Sequence, residues 1–136
     1  MAKILVVDDD PDMRLAISSV LRSRSYEVIE ACDGGEALAK LRKEKPDLML
    51  LDLLMPRMDG FAVVKELKNA QEREYPRIPI LIISSIREEA SHRRYELEVG
   101  HKLDVDEYIE KPIEPFVLLE RVGRLLSKGG KDAKTG

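Results

Sequence analysis

The feature that most constrains this chain is a repeated punctuation: short apolar runs, each cut off by an acidic, basic or hydroxyl-bearing residue. Ile4-Leu5-Val6-Val7 stops at Asp8-Asp9-Asp10, Leu48-Met49-Leu50-Leu51 stops at Asp52, and Ile78–Ile83 stops at Ser84-Ser85. Tyr108-Ile109 runs on through Glu110 to Lys111-Pro112. Runs this short suit strands buried on both faces better than helices. Tyr26–Ala31 reads as a further strand, and the third run extends over Asp47–Leu53.

Longer amphipathic stretches lie between the runs. Asp10-Pro11 offers a helix cap followed by proline at the first helical position. Met13, Ala16, Ile17, Val20 and Leu21 then recur at helical spacing. Asp33-Gly34-Gly35 is a turn, after which Ala37, Leu38 and Leu41 mark a second helix that ends near Lys45-Pro46. Met55–Gly60 has loop chemistry, and Phe61–Asn69 reads as a third helix. A charged stretch from Arg87 to Val99 reads as a fourth, and Glu114/Pro115 opens a last helix with Leu118, Val122, Leu125 and Leu126 on one face. The Gly/Lys-rich segment from Lys128 to Gly136 reads as a frayed tail.

Five strands alternating with five helices, the strands apolar on both sides, predict a doubly wound α/β domain on a parallel sheet. No internal repeat, linker or second domain is visible, and 136 residues suffice for one buried core. In such folds ligands bind beyond the C-terminal ends of the strands. The residues that cut the apolar runs therefore fall where a site belongs.

Composition removes several function classes. Lys plus Arg number 23 against 26 Asp plus Glu, a net charge of -3, which argues against a domain that coats nucleic acid or a membrane surface. Aromatics are 4%, with no Trp, so no base-stacking platform is visible. Cys32 is the one cysteine, which excludes an internal disulfide and suits a reducing compartment. No apolar run approaches a membrane span or has signal-peptide form, so a cytoplasmic protein without membrane insertion is expected.

Asp8, Asp9 and Asp52 converge in this reading at one end of the sheet. Carboxylates so placed repel one another unless a hard cation fills the space between them. Mg²⁺, which takes oxygen ligands and keeps several waters, suits such a set. Asp10, directly before Pro11, reads instead as a cap. Lys111 taken alone could be a solvated surface residue; beside three acids it becomes their counter-charge and a point charge for a phosphoryl oxygen. Ser84 offers a hydroxyl on the same rim, although serine at a strand end is common.

These residues resemble a family. Ile4–Pro11, Leu51–Gly60, Ser84 and Tyr108–Pro112, in that order and at successive strand ends, are similar to the receiver domain of two-component response regulators, over about residues 3–127. The resemblance implies a flavodoxin-like sheet of order 2-1-3-4-5, a receiver domain over 1–127 and a flexible tail over 128–136. It implies Asp52 as phosphoacceptor, Asp8 and Asp9 as metal ligands together with Asp52 and the Leu54 backbone carbonyl, and Mg²⁺, for which Mn²⁺ can substitute. Ser84 would bond the phosphoryl group, Lys111 would be the active-site lysine, and Tyr108 would move with Ser84 as the switch aromatic. A cis bond is expected at Lys111-Pro112.

The implied chemistry is phosphoryl transfer to Asp52 from a sensor histidine kinase or phosphotransfer protein, or from a small phosphodonor, followed by hydrolysis that resets the switch. The implied readout is a changed face of fourth helix, fifth strand and fifth helix, which binds a downstream protein target. Such a protein is a switch and not an enzyme in the ordinary sense, with no direct nucleic-acid contact, and it is a monomer or a phosphorylation-dependent dimer. Leu54 offers no polar group to orient a hydrolytic water, so slow self-dephosphorylation is expected.

The sequence departs from the family in one place. From Ser84 to Lys111 it runs 27 residues, several more than usual, the extra length lying between Ser91 and Glu107. His92 and His101 fall there and read as solvated. A receiver-like binding module without phosphorylation is one alternative. An aspartate-nucleophile phosphohydrolase is another, disfavoured because the position two past Asp52 is Leu54 where such enzymes need a second acid. A stand-alone regulator is preferred over a piece of a longer one, since the tail is too short for an output domain.

Overall fold

The computed structural model describes residues 1–69, 75–85, 93–94, 96–97 and 105–135. Five strands, β1 (Lys3–Val7), β2 (Glu27–Ala31), β3 (Leu48–Asp52), β4 (Ile80–Ser84) and β5 (Glu107–Glu110), form one parallel sheet of order β2-β1-β3-β4-β5. The helices are α1 (Pro11–Arg22), α2 (Gly34–Glu44), α3 (Gly60–Asn69) and α4 (Pro115–Thr135). The fold is the doubly wound α/β architecture expected, with four long helices among the described residues. Of the helix expected over Arg87–Val99, Arg93, Arg94, Glu96 and Leu97 are helical, and the rest lies outside the described residues, as do His92 and His101.

Period-two alternation divides the strand side chains between the two faces. Leu5, Val7, Met49, Leu51 and Ile82 pack with Ala37 and Leu41 of α2 and Val63 and Val64 of α3. Ile4, Val6, Leu50, Leu81 and Ile83 pack on the other face with Ile17 and Leu21 of α1 and Leu118 and Val122 of α4. Each fully buried Leu or Ile contributes about 1.5–3 kcal/mol by leaving water. Because both faces are covered there, the central strands β3 and β4 carry no polar residue until their last positions, Asp52 and Ser84.

Local chemistry sets the helix ends. Asp10 caps α1 by accepting from the Asp12 N–H, with Pro11 at the first helical position. Asp33 caps α2 by accepting from the Glu36 N–H at 2.9 Å, and the Glu36 carboxylate accepts in turn from the Cys32 N–H. Lys45 ends α2 in the left-handed region at φ 49. The last helix continues without a break over Lys128–Thr135, the stretch expected as a tail. Among the described residues no helix is long and apolar enough to cross a membrane.

Candidate functional site

The sheet register brings the run-terminating residues together. Val7 pairs with Leu51, so Asp8 and Asp52 follow side by side at the ends of β1 and β3. Asp52 pairs with Ile83, Ile83 pairs with Ile109, and Ser84 pairs with Glu110, which carries the line across to β5. The Lys111 N–H then donates to the Ser84 carbonyl at 2.6 Å. The Lys111-Pro112 bond is cis, as the resemblance implies.

Asp8 and Asp52 are 1% and 3% exposed, an uncommon degree of burial for carboxylates. Lys111 Nζ lies between them, 3.8 Å from Asp8 Oδ2 and 3.7 Å from Asp52 Oδ1. Asp9 is exposed, yet an oxygen of each of Asp8, Asp9 and Asp52 lies within 4.8 Å of the others. Burial pushes the Asp8 carboxyl above its ordinary value, against the pull of the Asp10 N–H and then of Lys111, while Asp9 and Asp10 push it further up. Its Oδ1 accepts from the Asp10 N–H at 2.9 Å, and Oδ2 accepts no hydrogen bond among the described residues. Three grouped carboxylates, two of them paired with Lys111, and a buried oxygen left to accept fit a hard divalent cation with oxygen ligands.

Other expected residues stand around this cluster. Ser84 is 6% exposed at the end of β4. Tyr108, on β5, is 37% exposed, and burial of part of its ring raises its hydroxyl pKa. Ser84 and Tyr108 both line a groove of about 740 Å³ that also takes in Ile109, Pro112 and Arg121. Leu54 is half-buried against the α2/α3 side of the core, so its side chain turns inward. Cys32 is a free, partly exposed cysteine, its thiol pushed up chiefly by Glu36.

Several contributors were not legible as such in the sequence. Arg14 reaches back from the first turn of α1 to donate to the Asp8 carbonyl at 2.7 Å and pairs with Glu30 of β2 at 3.1 Å. A cation one helical turn past a strand-end acid is the signal that could have found it. Two glycines hold the loop after β3. A Cβ on Gly60 would sit 2.5 Å from the Asp52 carbonyl oxygen, and one on Gly34 would sit 2.5 Å from the Met58 carbonyl oxygen. Each contact is an approach only glycine permits. The Gly60 N–H bonds the Leu53 carbonyl at 2.8 Å and the Gly34 N–H bonds the Met58 carbonyl at 2.9 Å. The sequence showed these positions only as turn residues.

Comparison with known proteins agrees with this geometry. The family model described as the response regulator receiver domain matches residues 4–123. A probable transcriptional regulator, ycf27, of Porphyridium aerugineum is 36% identical over 129 residues, which are 95% of this chain and 50% of that protein. Protein PilH of Pseudomonas aeruginosa is 30% identical over 127 residues, 93% of this chain and 99% of its own length. The chain thus spans about half the length of several relatives it matches and nearly all of PilH. A crystal structure of a putative response regulator from Chloroflexus aurantiacus superposes with a TM-score of 0.76 at 31% identity, covering 93% of this chain and 98% of that one. The match across nearly the whole chain, on a sheet that gathers acids and a lysine at its C-terminal edge, leads to one conclusion: this chain belongs to the response regulator receiver domain family.

Proposed function

We propose that this receiver domain is a phosphorylation-dependent switch in a two-component phosphorelay, with Asp52 as the residue that takes the phosphoryl group. The observation that carries the reading is the placement of Asp52: buried at a strand end, 3.7 Å from Lys111 and grouped with Asp8 and Asp9. In the transfer, an Asp52 carboxylate oxygen forms a bond to phosphorus as the bond to the donor breaks. The donor nitrogen of a kinase or phosphotransfer histidine, or the leaving oxygen of a small phosphodonor, departs with the electron pair. Lys111 supplies a fixed positive charge where the phosphoryl oxygens arrive, and Ser84 offers its hydroxyl to one of them.

Asp8, Asp9, Asp52 and the Leu54 carbonyl are the groups that would hold Mg²⁺, or Mn²⁺ in its place. Bound there, the cation offsets negative charge on the transferring group. The orphaned, buried Asp8 Oδ2 supports this assignment.

The downstream step rests on Ser84 and Tyr108, which share the groove beside β5 and α4. Movement of Ser84 toward a phosphoryl oxygen makes room for Tyr108, and the exposed face of β5 and α4 changes with it. The neighbouring surface expected from the fourth helix, with its lengthened 91–107 segment, lies mostly outside the described residues. We place the protein in the cytoplasm, as a signalling domain that reads a kinase and acts on a protein partner, monomeric or dimerising on phosphorylation.

The test is incubation with a small phosphodonor and MgCl2, followed by intact mass. One added phosphoryl group, lost in Asp52→Asn, is expected. An adduct that persists in Asp52→Asn would move the acceptor elsewhere, and no adduct at all would favour a receiver-like binding module that works without phosphorylation.

A further inference from the structure

The loop from Leu53 to Asp59 connects the acceptor strand to α3 and carries the Leu54 carbonyl. Its far side is held by α2. The Met58 carbonyl accepts from the Gly34 N–H at 2.9 Å, and the Arg57 guanidinium pairs with Asp33 Oδ2 at 2.6 Å. Asp33 is used twice, since its Oδ1 caps α2 on the Glu36 N–H at 2.9 Å. Arg57 itself sits in the left-handed region at φ 66, a conformation that glycine would take at no cost and that a side-chain-bearing residue holds against strain. A strained arginine whose side chain is 72% exposed, bonded to the cap of a neighbouring helix whose side chain is 17% exposed, is not there for packing.

We propose that the Asp33–Arg57 pair is a latch that positions the loop after β3, and through it the Leu54 carbonyl, for the divalent cation. This rests on the metal assignment above. The Asp33 carboxylate is held below its ordinary range first by the Glu36 N–H and then by Arg57, so the pair is formed over the whole physiological pH range. Arg57 is a positioning residue, because its partner is Asp33 and its effect on the cation runs through the backbone.

Electrostatics alone predicts the opposite result from the latch, which makes the idea testable. Arg57→Gly removes a positive charge and leaves Asp33 negative, so by field effects alone a cation should bind as well or better. It also relieves the left-handed strain, so the fold should lose nothing. On the latch reading the loop is freed, and Mg²⁺ should bind about three- to fivefold more weakly, the scale of a surface ion pair. Asp33→Asn keeps a good capping residue while weakening the pair. It should weaken Mg²⁺ by a similar factor, and the double variant Asp33→Asn/Arg57→Gly should be no worse than either single one. Arg57→Lys should restore part of the affinity.

The measurement is calorimetric titration of the purified chain with MgCl2 alone, beside thermal melts in EDTA. The expected outcome is an unchanged or raised Tm for Arg57→Gly together with its weaker Mg²⁺ binding. Unchanged or tighter binding in Arg57→Gly, or additive losses in the double variant, overturns the latch and leaves the metal site standing. A native chain that takes up no Mg²⁺ overturns the metal assignment and the latch together.

Discussion

Replacing Asp8 by asparagine removes one negative charge from the buried cluster and changes its shape very little. The asparagine carbonyl can still accept from the Asp10 N–H, as Asp8 Oδ1 does at 2.9 Å. The repulsions from the exposed Asp9 and Asp10 are lost, and two Coulomb terms change within the buried cluster. Lys111 Nζ lies 3.8 Å from Asp8 Oδ2, an attraction of about 4 kcal/mol at an effective dielectric of about 20. An Asp52 oxygen lies within 4.8 Å of one on Asp8, a repulsion of at least about 3.5 kcal/mol on the same scale. The two nearly cancel, so the cost of taking the Asp8 charge out of water decides the sign, as it does for the raised Asp8 pKa. Asp8→Asn should therefore stabilise the metal-free protein by about 1–2 kcal/mol, which is about 4–8 °C in Tm for a chain this size. The assay is thermal melting in EDTA at neutral pH, repeated down to pH 3. The sign with pH is fixed by the direction of the shift. A carboxyl whose pKa is higher folded than unfolded binds its proton more tightly when folded. It therefore costs nothing below its ordinary value of 3.8, and its full cost appears above the raised folded value. The advantage of the variant should vanish at low pH and grow to a plateau toward neutrality. With MgCl2 the order should reverse, because the native protein gains binding free energy that the variant gives up. A variant that melts at or below the native temperature in EDTA at neutral pH, or a gap that does not depend on pH, would refute the reasoning.

Gly60→Ala should lower the urea midpoint by the equivalent of about 2–4 kcal/mol, since its Cβ would meet backbone at 2.5 Å and backbone cannot rotate away. Leu54→Asn should shorten the lifetime of the phosphorylated form, followed by intact mass after removal of the phosphodonor, because the amide can orient the attacking water; an unchanged lifetime sinks the expectation. Asp33→Ala should cost about 1 kcal/mol through loss of the α2 cap. Asp33 has a lowered folded pKa, so its contribution is present above the ordinary 3.8 and is lost as pH falls through the lower folded value, where melts of the native and variant chains should converge.

What the sequence determined by itself was the alternation of elements and the edge on which chemistry sits. Apolar runs such as Ile4–Val7 and Leu48–Leu51 must be strands covered on both faces, and in a parallel sheet every strand leaves by the same edge. Asp8, Asp52 and Lys111 were therefore legible as neighbours of one edge, and Asp10 as a cap, from local pattern alone. Strand order was not: it followed from the likeness of the motifs to a family, and periodicity carries no signal for it. The structure decided that β1 and β3 are adjacent, so that Asp8 meets Asp52 across a sequence distance no local pattern spans. It also decided the approaches that hold the loop, with Gly34 and Gly60 pressed against backbone, Arg14 over the Asp8 carbonyl and Arg57 drawn to Asp33. Those contacts depend on how α1 and α2 pack over the sheet edge. A glycine or an arginine looks the same in a sequence whether or not another element comes within reach of it.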